Sequence, residues 1–280
     1  MNIEKVLKDK NIILDVNKDQ VFLIHNKIID DSCCLVELNK NDIVLEIGAG
    51  IGNITEILSK KAGKVIAFEI DKQFKPFLEK MPSNVEVYYR NILDYSGFKG
   101  KYRKKGGFNK IISSLPYSLC EPILHKLTFY EYDKCILVLP KRFVYKIKIN
   151  PIFSSFFKAN ILFEIEKQKF YPIPNTNSEV IELIKLNNPI KSKDIKLFLK
   201  QYLYKHENQK VKNSLREGII EYYRMTENRK VTKNNARDII EKSKISFYLL
   251  EKTPDNKEIY ERIDDVERIL LSNPVWFLLV

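Results

Sequence analysis

The stretch Ile43-Val44-Leu45-Glu46-Ile47-Gly48-Ala49-Gly50-Ile51-Gly52-Asn53-Ile54-Thr55-Glu56 decides the fold. Its first five residues are mostly apolar and partly β-branched, as suits a short strand buried on both faces. The run ends in glycines at alternate positions, Gly48, Gly50 and Gly52, which permit positive φ and let a ligand come close to the backbone. Over residues 53–61 the apolar side chains Ile54, Ile57 and Leu58 fall on one face of a helix. Strand, glycine turn and helix make the first unit of a nucleotide-binding α/β fold.

The next apolar run, residues 65–68, ends in Glu69-Ile70-Asp71. A carboxylate at the tip of the second strand can accept both hydroxyls of an adenosine ribose, which NAD and S-adenosylmethionine share. Two residues favour S-adenosylmethionine. Asn53 stands where a dinucleotide fingerprint needs its third glycine. Glu46 sets a carboxylate two residues before the turn, where it can face the cationic methionine end of that cofactor.

The chain has 280 residues, enough for one large or two ordinary domains. Its 48 Lys and Arg against 36 Asp and Glu leave a net charge of +12, which suits a polyanion such as nucleic acid or an anionic membrane surface. No apolar stretch approaches the ~20 residues of a membrane span, and the polar start lacks a signal-peptide core. The apolar tail Val275-Trp276-Phe277-Leu278-Leu279 is too short to cross a bilayer and reads as a docking segment. Cys33, Cys34, Cys120 and Cys135 have no C-x-x-C spacing, and His25, His125 and His206 are scattered. No metal site is expected, and the cysteines read as reduced thiols of a cytoplasmic protein.

Residues 1–19 are polar and read as a loosely held arm. Further strand patterns occupy residues 85–89, 110–114, 135–139, 161–165 and 180–186. Asn91 and Ile92 lie at the carboxyl end of the first of these, where ligands of open α/β sheets collect. The loop at 98–109 carries Lys99, Lys101, Arg103, Lys104 and Lys105, either a solvated loop or a phosphate-contacting rim. Beyond Asn187 only helical patterns remain, at 195–203, 211–223, 235–243 and 258–271. A boundary near Asn188 therefore divides residues 1–188 from a helical domain, 189–280. Residues 191–237 carry 13 Lys and Arg against 5 Asp and Glu, a concentration that fits a polyphosphate surface.

Several separate stretches resemble one family. Gln20-Val21-Phe22-Leu23 resembles its Q-x-F-L cofactor motif, the Glu46–Thr55 segment its glycine motif, and Glu69-Ile70-Asp71 its second-strand motif. Ser114-Leu115-Pro116-Tyr117 is similar to its N-L-P-Y catalytic motif. Phe170-Tyr171-Pro172-Ile173-Pro174 with Ser178 resembles its F-x-P-x-P-x-V-x-S turn, and Lys210-Val211-Lys212-Asn213-Ser214-Leu215 its R-K-T-x-R-N-S-L segment. This is the ribosomal RNA adenine dimethyltransferase family, of which the KsgA-type small-subunit enzymes and the Erm methylases are members. The KsgA-type branch is the more similar.

The resemblance implies a Rossmann-like S-adenosylmethionine-dependent methyltransferase domain, with a seven-stranded, mainly parallel sheet, followed by an all-helical RNA-binding domain. It implies methyl transfer to N6 of adenine in small-subunit rRNA, by a protein expected to be a monomer. Carried over by position, Gln20, Val21, Leu23, Glu46, Gly48, Gly50, Glu69, Ile70, Asn91, Ile92 and Ser114 bind the cofactor. Ser114, Leu115, Pro116, Tyr117 and Phe170 serve the target base, the two aromatic rings by stacking on it. Lys141, Arg142, Lys210, Lys212 and Arg216 are candidate RNA contacts. Three positions depart from the family: His25 and Asn91 each replace an aspartate, and Ser114 replaces the catalytic asparagine. They motivate an alternative, a catalytically impaired relative acting as an RNA-binding ribosome assembly factor. A methyltransferase for a small molecule or protein is a third reading, against which the charge of residues 191–237 argues.

Overall fold

The structure, a computed structural model, describes residues 3–15, 20–95, 107–186, 192–227, 230–255 and 257–272. The loop cations Lys99–Lys105, residue 188 and the apolar tail lie outside them.

Two units divide the chain. The first comprises residues 1–147 and 158–184. It opens with α1 (Ile3–Asp9), β1 (Phe22–Leu23) and α2 (Asn26–Cys34), followed by β2 (Ile43–Ile47), α3 (Asn53–Lys61) and β3 (Lys64–Phe68). Then come α4 (Lys75–Leu78), β4 (Val85–Tyr88), β5 (Lys110–Ser114), α5 (Cys120–Leu127), β6 (Lys134–Pro140) and α6 (Lys141–Ile149). After α7 (Phe153–Phe156) the chain returns through β7 (Phe157–Ile165), β8 (Phe170–Tyr171) and β9 (Ser178–Lys185). The sheet runs β4-β3-β2-β5-β6-β9-β7. Strands β4 to β6 pair in parallel and β9 lies antiparallel to β6. The order reverses beside β2, which makes the carboxyl ends of β2 and β5 the topological switch point where ligands of such sheets bind. Val44, Leu45, Ile47, Val65, Ile111, Ile112, Ile136 and Leu137 are essentially inaccessible, as central strands covered on both faces must be.

Two expectations need correction. Part of the expected arm, Ile3–Asp9, is helical, and Leu7 is buried in the core because its apolar side chain finds a partner there. The second unit is residues 148–157 as well as 185–280, so the single boundary near Asn188 overlooks an excursion. Within that unit Phe156 packs edge-on against Tyr204 and Gln201 Nε2 donates to the carbonyls of Ser155 and Leu186, which anchors the excursion.

The second unit is helical: α8 (Ile195–Lys205), α9 (Val211–Glu227), α10 (Lys233–Lys242), α11 (Phe247–Glu251) and α12 (Lys257–Ser272). Leu199, Leu203, Leu215, Ile219, Tyr260, Ile263 and Val266 form its interior. Among the described residues no helix is long and apolar enough to cross a membrane.

Candidate active site

A cleft of about 1130 Å³, counting the space open to solvent, lies at the carboxyl ends of β2, β3, β4 and β5. Its floor is the glycine turn. The N–H groups of Gly48 and Ala49 both donate to the Phe68 carbonyl, at 2.8 and 3.0 Å. Gly50 has φ +55°, and a Cβ there would stand 2.7 Å from Cε1 of Phe22, so only glycine lets that ring pack over the turn. Asn53 does what a glycine cannot: its Nδ2 donates to the Leu23 carbonyl at 2.8 Å and ties the start of α3 to β1.

Two carboxylates line the cleft. Glu69 is buried at the tip of β3, where Oε2 accepts from Gly50 N–H at 2.8 Å and Oε1 from Asp71 N–H at 2.7 Å. It therefore holds the turn in place as well as facing the cleft. Burial raises its pKa, against the opposing pull of those two donors. Glu46 is 1% exposed, and among the described residues the one hydrogen bond to its carboxylate comes from the Thr55 hydroxyl, 2.6 Å from Oε2. Burial pushes its pKa up to about 8; the Thr55 hydroxyl acts in the opposite direction and the Glu69 charge in the same one. Gln20 also lines the cleft, but its amide is engaged, accepting from Asp15 N–H and donating to Asp71 Oδ2 at 2.8 Å. It acts as a brace.

Val21 and Leu23 lie along the cleft, held by the short ladder in which β1 pairs with β8, Leu23 opposite Phe170. At the far end stand Ile70, more than half exposed, with Arg90, Asn91 and the buried Ile92. Asn91 Oδ1 accepts from Leu93 N–H at 3.0 Å and caps the turn Ile92–Asp94.

Of the expected catalytic set, Ser114 and Pro116 line the cleft. Leu115 is buried, and its N–H donates to the Val138 carbonyl. Tyr117 is half-buried beside the wall rather than in it. Phe170 requires correction: its ring is 3% exposed in the core, because the strand that carries it is the partner of β1, and it offers no face to a base in this arrangement.

The wall also includes Phe22, Phe68, Phe74, Ser118 and Leu119, which sequence reasoning passed over. Phe22 sits inside the Q-x-F-L motif and Phe68 precedes Glu69, so closeness to a motif was the available signal. The edge-on contact between Phe22 and Phe74, ring centres 5.6 Å apart, joins residues distant in sequence and left none.

The candidate RNA contacts stand as follows. Lys141 and Arg142 begin α6, Lys141 paired with Glu164 at 2.7 Å and Arg142 exposed. In the helical unit Lys210 and Lys212 both pair with Glu251, and Arg216 with Glu217 at 3.0 Å. Among the described residues no group of His, Cys, Asp or Glu is arranged to hold a metal.

The chain is similar to known proteins over most of its length. A model of the family described as ribosomal RNA adenine dimethylase matches residues 16–255. A probable ribosomal RNA small subunit methyltransferase A from Methanosphaera stadtmanae is 30% identical over 224 residues, covering 76% of this chain and 81% of that protein. The ribosomal RNA small subunit methyltransferase A of Thermotoga maritima is 26% identical, covering 84% of this chain and 86% of the relative. Two crystal structures share the fold. A dimethyladenosine transferase from Plasmodium falciparum superposes with a TM-score of 0.57 at 21% identity, covering 91% of this chain and 98% of that one. The 23S rRNA methyltransferase ErmE superposes with a TM-score of 0.53 at 18% identity, covering 89% and 99%.

Proposed function

This chain belongs to the ribosomal RNA adenine dimethylase family, and on that premise we propose that it transfers methyl groups from S-adenosylmethionine to N6 of adenine in small-subunit rRNA. The observation that carries the reading is the cleft itself. The glycine turn, Glu69, Asn91 and Ser114 come from the ends of four strands and line one cavity.

The residues fit the cofactor. A buried carboxylate held by one hydroxyl suits a cationic amino-acid end, and a second carboxylate at the next strand tip suits a ribose. When bound, S-adenosylmethionine supplies an electrophilic methyl on a sulfonium. Glu69 would take the ribose hydroxyls on lone pairs that the Gly50 and Asp71 N–H groups leave over, since an ionised carboxylate offers about four. Glu46 and the turn at Gly48 would face the methionine end, and Ile70 and Ile92 would flank the adenine.

The target amino nitrogen is a weak nucleophile because its lone pair is delocalised into the ring. Acceptors for both its hydrogens draw it toward a tetrahedral geometry, so the task is positioning and electrostatics. The Ser114 hydroxyl is one acceptor. The Pro116 carbonyl already accepts from Leu119 N–H at 3.0 Å, so the Leu115 carbonyl is the better second. Tyr117 would stack on the swung-out base after turning outward from its half-buried position. Arg142, Lys141, Lys210, Lys212 and Arg216 would hold phosphates; all but Arg142 must be drawn from acidic partners. The protein is read as a cytoplasmic monomer.

Tritium transfer to purified immature small subunits, followed by digestion to nucleosides, tests the reading. Label in N6-methylated adenosine is expected. RNA binding with no label would instead mean a relative that assists assembly without transferring methyl.

A further inference from the structure

Resting on the cofactor reading above, we infer that Asn91 reverses the polarity with which this cleft meets the cofactor's base, presenting a donor where selection of a 6-amino group needs an acceptor. The chain's own hydrogen bonds carry the argument. Asn91 lines the cleft beside Ile70 and Ile92, one strand beyond Glu69, so a nucleoside whose ribose rests on Glu69 extends its base toward Asn91. The orientation of the Asn91 amide is set. A backbone N–H needs an oxygen opposite it, and Oδ1 accepts from Leu93 N–H at 3.0 Å. The amide nitrogen is therefore the atom turned away from the capped turn, and it has no partner among the described residues. Arg90, Ile70 and Ile92, which flank it in the cleft, add no side-chain acceptor, since a guanidinium only donates.

A carboxylate at position 91 would cap the same N–H with one oxygen and hold out the other as an acceptor for the 6-amino hydrogens of adenine. Asn91 holds out N–H groups instead. Those can reach N1 of adenine but are opposed by its 6-amino group, and they match the 6-oxo group of hypoxanthine. The side chain at 91 therefore sets base selectivity, and as Asn it leaves the 6-oxo base tolerated.

Calorimetric titration with S-adenosylhomocysteine and its hypoxanthine counterpart, S-inosylhomocysteine, tests this. The natural chain is expected to bind the two within about threefold. Asn91→Asp, which keeps the cap, should shift the ratio about tenfold or more toward the adenine form, the scale of one hydrogen bond gained against one acceptor opposed. Asn91→Ser, which also keeps a capping oxygen but lacks the amide nitrogen, should lose about tenfold for the 6-oxo form. Unchanged melting temperatures in both variants establish that the capped turn survives. A ratio in Asn91→Asp within twofold of the natural one, or rejection of the 6-oxo form by the natural chain a hundredfold or more, overturns the inference and leaves the cofactor reading intact. Failure of the natural chain to bind either ligand overturns both.

Discussion

Glu46 should make cofactor binding release a proton. Its carboxyl is 1% exposed and its pKa is pushed up to about 8, so at pH 7 about nine molecules in ten hold it neutral in the free protein. A cation at the cleft floor favours the ionised form. Binding with Glu46 ionised then costs about one pKa unit at pH 7, about 1.4 kcal/mol or tenfold in affinity, and almost nothing at pH 9. The dissociation constant should fall about tenfold between these pH values, with about 0.9 proton released per ligand at pH 7. Calorimetry in buffers of different ionisation enthalpy measures that proton count. The ligand's own amino group titrates in the same range, so the comparison is with Glu46→Gln, which keeps an acceptor for Thr55 and cannot ionise. The difference between the two proteins belongs to Glu46. Equal proton release by both would refute the reasoning, because the buried carboxyl would then keep one charge state throughout.

The same shift affects stability. Between the ordinary carboxyl range and pH 8 the unfolded chain binds fewer protons at Glu46 than the folded one, so stability without cofactor should decline as pH rises through that window and level off above it; urea midpoints of Glu46→Gln should lack this component. Glu69→Ala should abolish binding of S-adenosylmethionine by calorimetry and also cost about 1–3 kcal/mol for each of the two N–H groups it strands, read from urea midpoints; unchanged affinity would contradict its role. Ser114→Asn should raise the rate of methyl transfer, since a preorganised partner at a reacting centre is worth about 10²–10³ in rate; no gain in single-turnover assays would count against the position assigned to Ser114. His25 stands at the N-cap of α2 without a side-chain cap bond, so His25→Asp should stabilise the chain by about 1 kcal/mol, measured as an increase in urea midpoint.

The fold was legible where one local signal sufficed. The apolar run before Gly48 is short, β-branched and closed by glycine, which favours a buried strand, and Glu69 follows the next such run, so the order of strand, turn, helix and strand stood in the chain itself. What stayed hidden depended on partners far apart in sequence. Nothing local indicates that Thr55 holds Glu46, or that Asn53 reaches Leu23. The base-stacking role of Phe170 rests on the resemblance of its turn to the family's F-x-P-x-P motif, and a motif does not report burial. Its pairing with Leu23, which buries it, is a tertiary event. The excursion 148–157 escaped for the same reason: its amphipathic pattern suits either unit, and only packing such as that of Phe156 on Tyr204 decides.

A crystal structure of the protein with S-adenosylmethionine tests the account at its centre. The ribose hydroxyls are expected on the Glu69 carboxylate, with the methyl directed toward Ser114 and Pro116. A cofactor seated away from the carboxyl ends of the strands, or one whose methyl faces a closed wall, would contradict it.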